Sequence, residues 1–241
     1  MRIAVISDIH GNMEAFDRVL EDIDNSHIDS IFSLGDNIGY GPDPEEVVTK
    51  IQHRNIPSLM GNHEMAVLDK IHLEWFNYSA RESLIKTSKA LSEGSRQYIA
   101  TLEFSLVRDE CRFVHGFPPD SPTIYSFQVT EKELLKTFRK LTERICFIGH
   151  THGLHIIVFD GQSINESPLE EGVTHLSEDQ RYIVNIGSVG QPRDGNNNAK
   201  YVIWDSTAHT IEVKYIPYNI ARVVEKIYLM GLPKVHADRL W

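Results

Sequence analysis

Five times along this chain a short, apolar, β-branched run ends in a cluster of Asp, Asn, His and Gly. The clusters are Asp8-Ile9-His10, Gly35-Asp36, Gly61-Asn62-His63-Glu64, His115-Gly116 and Gly149-His150-Thr151-His152. The runs before them, Arg2–Ser7, Ser30–Leu34, Ile56–Met60, Cys111–Val114 and Arg144–Ile148, read as strands. In an α/β sheet the carboxyl ends of the strands share one edge, and ligands bind in the crevice there. Five loops on that edge can converge.

The stretches between the runs support an α/β first half. Met13–Asp24 carries Phe16, Val19, Leu20 and Ile23 on one helical face. Asn12 before it reads as the N-cap of that helix rather than as a ligand. Asp43-Pro44-Glu45-Glu46 reads as an N-cap, a proline at the first helical position and acid in the first turn. Strand, helix, strand, helix, strand implies parallel pairing with right-handed crossovers. Residues 65–103 read as helices, with a loose stripe of Trp75, Tyr78, Leu84, Ile85 and Leu91 and a cap at Ser92. Strands are expected at Phe104–Val107 and Cys111–Val114, and a loop over Gly116–Ser126. Thr130-Glu131-Lys132-Glu133 is a capping box. From Leu154 to Pro217 short strands alternate with turn signals, and Asn219–Met230 closes as a helix ended by Gly231. Site residues come from both halves, so residues 1–241 are read as a single domain.

The clusters present two Asp, one Asn and five His. Neutral imidazole and carboxylate suit borderline divalent metals such as Mn, Fe, Co, Ni and Zn. Asp8, His10, Asp36, Asn62, His115, His150 and His152 are too many for one ion. Two ions that share a bridging carboxylate use all of them, an arrangement suited to in-line displacement at phosphorus. His63 is left over for a catalytic or supporting role. His27, His53, His72, His155, His175, His209 and His236 lack this context and are assigned to surface or core.

Composition excludes other classes. The net charge of −10 disfavours stable nucleic-acid or anionic-membrane binding. Apolar runs of four or five residues fall far short of the ~20 that span a bilayer, and the opening residues do not read as a signal peptide. Cys111 and Cys146 cannot form a disulfide framework and read as small core residues, which points to the cytoplasm.

The ordered set D-x-H, G-D, G-N-H-E, H-G and G-H-T-H is similar to that of the calcineurin-like metallophosphoesterases. "DNIGYGPDP" at Asp36–Pro44 and "NIGSVGQPRDG" at Asn185–Gly195 resemble its small bacterial and archaeal phosphodiesterase branch. The resemblance implies a four-layer α/β/β/α sandwich, two mixed sheets flanked by helices, with a dimetal site at its edge. It implies that one ion takes Asp8, His10, Asp36 and His152, and the other Asp36, Asn62, His115 and His150, with His63 catalytic. Glu64 stands where many relatives have Asp, and either carboxylate would orient His63. Protein phosphatases and diadenosine-tetraphosphate hydrolases of the superfamily carry arginines beside the Gly-Asp and Gly-Asn-His motifs. Here those neighbourhoods read Ile38-Gly39-Tyr40 and Met60.

The expected reaction is therefore hydrolysis of a small or nucleotide-like phosphate ester, a diester ahead of a monoester. Two divalent ions, Mn first, would hold a bridging hydroxide as nucleophile, and His63 would protonate the leaving oxygen or stabilise its charge. Arg193 and Gln191, after the turn Gly187-Ser188-Val189-Gly190, either bind substrate oxygens or belong to a surface loop whose arginine pairs with Asp194 or another acid. A phosphomonoesterase is the alternative. A non-catalytic scaffold is disfavoured, because all seven ligands and His63 are present.

Overall fold

The computed structural model describes residues 1–241. Strands β1 (Arg2–Ile6), β2 (Ser30–Ser33), β8 (Gly172–His175), β10 (Ala199–Asp205) and β11 (Thr210–Ile216) form one sheet, in the order β2-β1-β10-β11-β8. Strands β3 (Ser105–Arg108), β4 (Cys111–Val114), β5 (Ile145–Ile148), β6 (Leu154–Phe159), β7 (Ile164–Pro168) and β9 (Arg181–Ile186) form the other, in the order β3-β4-β5-β9-β6-β7. Both are mixed: β1 pairs parallel with β2 and antiparallel with β10, and β5 pairs parallel with both β4 and β9.

Period-two alternation builds the layers. Ile3 and Val5 of β1, with Val202 and Trp204 of β10, face Phe113, Phe147 and Val184 of the second sheet. Ala4 and Ile6 face the other way, onto Phe16, Val19 and Leu20 of α1 (Met13–Asp24) and Val47 and Ile51 of α2 (Pro44–His53). On the far side Cys146, Ile148 and Ile183 pack under Leu134 and Phe138 of α6 (Glu131–Lys140). The order of layers is helix, sheet, sheet, helix. Helices α3 (Asn62–Leu68), α4 (Tyr78–Ala90) and α5 (Glu93–Ile99) lie beside α2, and α7 (Ile220–Leu229) and α8 (Lys234–Asp238) lie beside α1 and α4. No helix is long and apolar enough to cross a membrane.

Caps read from the sequence hold in part. Asn12 Oδ1 accepts from Ala15 N at 3.1 Å, Ser92 Oγ accepts from Ser95 N at 3.1 Å, and the Thr130–Glu133 box is formed. Asp43 occupies the N-cap position, but its carboxylate accepts from Lys226 Nζ at 2.9 Å instead of from α2. Ile56–Met60 is no regular strand. It makes parallel bridges at Ser58 and Leu59 alone, because Pro57 has no N–H to extend a ladder. The stripe at 75–91 also divides. Leu84 and Leu91 are buried, whereas Tyr78 and Ile85 lie on the outer face of α4 and Trp75 is exposed at the end of a separate 3₁₀ segment, Lys70–Trp75.

Candidate metal centre

All five polar clusters meet at one edge of the two sheets. Asp8 and His10 follow β1, Asp36 follows β2, His115 follows β4, and His150 and His152 follow β5. Asn62 and His63 open α3. Every one of these side chains is buried. The local backbone is unusual: Asp8, His10, Asp36, His150 and His152 all have positive φ, between 49° and 66°. Non-glycine residues rarely sit there, and the cost is carried by the surrounding structure. Crossing hydrogen bonds supply that support. Asp8 N donates to Gly35 O at 3.0 Å, His10 N to Asp36 O at 2.9 Å, and His150 N to Asp8 Oδ2 at 3.0 Å.

Two nests of donor atoms lie on either side of Asp36. In the first, His152 Nε2 is 3.2 Å and His10 Nε2 3.6 Å from Asp8 Oδ1, and His10 Nε2 is 3.8 Å from Asp36 Oδ2. In the second, His115 Nε2 lies 3.3 Å from Asp36 Oδ2, 3.3 Å from Asn62 Oδ1 and 3.1 Å from His150 Nδ1. Asp36 is the group common to both. His63 Nε2 is 3.8 Å from the same Asp36 oxygen.

The imidazole tautomers follow from the outer hydrogen bonds. His10 Nδ1 donates to Ile38 O at 3.0 Å and His152 Nδ1 to Gln191 O at 2.5 Å. Each ring, when neutral, then turns a bare Nε2 lone pair inward, and these two atoms are 3.1 Å apart. Two acceptors that close do not bond each other, and Asp8 Oδ1 beside them is buried without a donor. In the second nest His150 Nε2 donates to Thr123 O at 3.3 Å, which leaves Nδ1 bare toward His115. A divalent cation would satisfy the orphaned atoms of the first nest, so the residues there fit one; in the second, His115 Nε2 can itself donate to His150 Nδ1, and the same Asp, Asn and His donors are of the kind that bind a cation.

The charge states agree. Burial lowers His152 to about 4 and His150 to about 3, and it puts His63 well below its ordinary value. Burial also works to raise Asp8 and Asp36, but the imidazoles around them hold both carboxyls well below the usual range. Ionised carboxylate and neutral imidazole are the protonation states in which these groups bind metal. His115 differs: Asp36 outweighs the burial cost and raises it to about 9. His115 would have to give up that proton to serve as a ligand.

Glu64 does not orient His63. Its carboxylate accepts from Asp36 N at 2.9 Å, Asn37 N at 2.8 Å and Gly61 N at 3.0 Å. As the third residue of α3 it reaches back over the helix start and pins the Asp36 turn to it. The His63 ring is held by packing instead. Its centroid is 4.5 Å from Tyr40, 4.7 Å from His10 and 4.9 Å from Phe76, all edge-on. Gly39 closes the remaining side, where a Cβ would stand 2.1 Å from His63 Nδ1.

The nests open into a cavity of about 430 Å³ lined by Asp36, Asn62, His63, His150 and His152. Its outer wall comes from residues with no local sequence signal: Tyr40, Trp75, Phe76, Tyr125 and Arg239. Arg193 lines it too, while Gln191 is buried behind, its Oε1 accepting from Arg193 Nη2 at 3.1 Å. Arg193 does not pair with Asp194, which binds Lys200 Nζ at 2.8 Å. Asn12 uses both ends of its amide on backbone, Ala15 N and Gly190 O.

A two-sheet α/β sandwich with an Asp/His donor cluster at its edge is the architecture of a metal-dependent phosphoesterase. The chain belongs to the calcineurin-like phosphoesterase superfamily, whose domain model matches residues 1–209. It is 37% identical, over 243 aligned positions, to an uncharacterized protein of Methanocaldococcus jannaschii, covering 99% of this chain and 97% of that one. The crystal structure of a metallophosphoesterase from Sphaerobacter thermophilus superposes with a TM-score of 0.84 at 33% identity, covering 100% of this chain and 98% of the other. A hypothetical protein from Pyrococcus horikoshii shares the fold, with a TM-score of 0.79 at 18% identity over 100% and 97% of the two chains.

Proposed function

We propose that the protein hydrolyses small phosphate esters, diesters ahead of monoesters, with two divalent ions, Mn foremost. Asp8, His10, Asp36 and His152 would hold one ion, and Asp36, Asn62, His115 and His150 the other. The observation that supports this reading is the run of three overlapping donor groups, Asp8–His10–His152, His10–Asp36–His63 and Asp36–His115–His150, with Asp36 in the last two, at the floor of one cavity. When bound, such ions lower the pKa of water toward about 7 and offset charge on phosphoryl oxygens.

The chain's own residues supply the rest. His63 Nδ1 has no partner and faces Gly39, so its proton belongs on Nε2, the atom near Asp36 Oδ2. Burial keeps the ring neutral. Its part is then to donate an Nε2–H hydrogen bond to the leaving oxygen as charge builds there, rather than to hand over a proton held as imidazolium. Phe76 and Tyr40 keep water from the ring and fix its plane.

The diester preference rests on what surrounds Asp36 and Asn62. Tyr40 stands where an arginine would meet a phosphate dianion, with its ring 4.5 Å from the rings of His10 and His63. A diester has one charge fewer to neutralise. A screen of the metal-free protein with Mn, Fe, Co, Ni, Zn and Mg against matched aryl mono- and diesters tests this. Faster diester turnover with Mn is expected, and preference for the monoester across several metals would overturn it.

A further inference from the structure

Arg193 and Arg239 reach the cavity from two separate segments, and neither guanidinium has a carboxylate partner. Arg193 lies in the loop after β9, 5.8 Å from the Tyr40 ring centroid. Arg239 follows α8 and lies between Ala237 and Leu240, which are buried against Val223, Ile227 and Leu232. His236 Nε2 also donates to Ser79 O at 3.2 Å. Both residues are exposed, and the backbone of each is anchored, Arg193 N to His152 O at 3.4 Å and Arg239 N to Val235 O at 3.2 Å.

The acids near them are otherwise engaged. Asp194 binds Lys200, Asp238 pairs with Lys234, and Asp36 is buried in the donor nests. In a chain with 34 acidic and 24 basic side chains, two guanidinium groups without a carboxylate partner on one cavity wall, one of them steadied by Gln191 Oε1, mark a place for negative charge. The Tyr40 ring lies 4.5 Å from the rings of His10 and His63, and the Arg193 guanidinium stands 5.8 Å from the centroid of that same ring, one ring's breadth from those two imidazoles. A volume of about 430 Å³ is also room for more than one phosphoryl group. Trp75, 57% exposed, gives the opening an apolar side.

We propose that Arg193 and Arg239 form a second anion subsite, which takes a phosphate or carboxylate carried on the ester beside the phosphoryl group being hydrolysed. The proposal rests on the phosphoesterase reading and narrows the substrate class to small phosphate esters with a second anionic group. The planar guanidinium fork matches either oxyanion, and a group bound there bridges α8 and the β9 loop.

The test is calorimetric binding to the Mn-loaded protein of three phosphonates: ethylphosphonate, 2-carboxyethylphosphonate and ethylenediphosphonate. Both tailed ligands should bind the unmodified protein ~10–100-fold tighter than ethylphosphonate, the range of a charge-assisted hydrogen bond. The preferred tail separates a carboxylate from a phosphate partner. Arg239→Ala should bring the affinity ratio toward one and Arg239→Lys should restore part of it. The mutant ratio also controls for metal chelation by the ligands. A ratio near one in the unmodified protein, or one unchanged by Arg239→Ala, overturns the subsite. Ester hydrolysis without discrimination overturns the subsite alone, whereas discrimination without hydrolysis of any ester overturns the activity alone.

Discussion

His10 and His152 meet through their Nε2 atoms at 3.1 Å, and each gives its Nδ1–H to a backbone carbonyl. Neither ring can donate to the other in its neutral form. Their contact has meaning only around a third atom that accepts both lone pairs, with Asp8 Oδ1 close by.

Metal titration should therefore saturate near two ions per chain and raise the thermal midpoint. An ion at ~100 times its dissociation constant contributes about 2.7 kcal/mol. Asp36→Asn should weaken both binding steps, because Asp36 Oδ2 faces His10 on one side and His115 on the other. Elemental analysis that consistently finds one ion in active protein would refute the shared carboxylate.

Gly39→Ala should act as a mutation of His63. The new Cβ would stand 2.1 Å from His63 Nδ1, and Gly39 has φ +86°, so neither backbone nor ring can accommodate it easily. Both Gly39→Ala and His63→Ala are expected to keep most metal and lose ~10²–10³ in kcat, the range for one donor to a developing oxyanion. The loss should shrink with a nitrophenolate leaving group. Equal losses for good and poor leaving groups would contradict the assigned role.

Without metal, stability should peak near pH 6.5. His236, lowered to about 4 by burial, and His150 and His152, at about 3 and 4, stay neutral in the fold while their unfolded counterparts take up protons below about 6.5. Stability then falls as pH drops from 6.5 toward 4. His115, raised to about 9, contributes stability below 6.5 that is lost as pH rises through 9. Denaturant unfolding across this range should show both limbs. His236→Asn should flatten the acid limb with or without metal, because His236 lies outside both nests.

Lys200→Met should disturb Arg193 from a distance. Lys200 Nζ has no exposed side-chain surface and binds Asp194 Oδ1 at 2.8 Å, Asn196 O at 2.5 Å and Asn198 O at 3.1 Å. It fastens the loop that carries Arg193 to β10. The variant should raise KM more than it lowers kcat, with metal content unchanged. A KM equal to that of the unmodified protein would show that the loop holds its shape without the ammonium.

The sequence alone reached the floor of the site, because each donor there directly follows a short apolar run and local chemistry marks it. Asp8, His10, Asp36, His115, His150 and His152 all follow strands, and the apolar run that precedes Asp8 is β1, with Ile3 and Val5 buried on one face and Ala4 and Ile6 on the other. Three things were decided only in three dimensions. The partner of Glu64 depends on which backbone N–H groups the Asp36 turn brings over the start of α3. The single bridge from Ser58 to Ser33 depends on what Pro57 withholds from β2. The cavity wall depends on packing between distant segments: Arg239 is set in place by Ala237 and Leu240 seated against α7, and Trp75 by a 3₁₀ turn that interrupts a helical stripe. Chemistry carried by a motif is written in neighbouring residues. A wall assembled from separate segments is fixed by the long-range burial that holds those segments together, and nothing adjacent in the sequence records it.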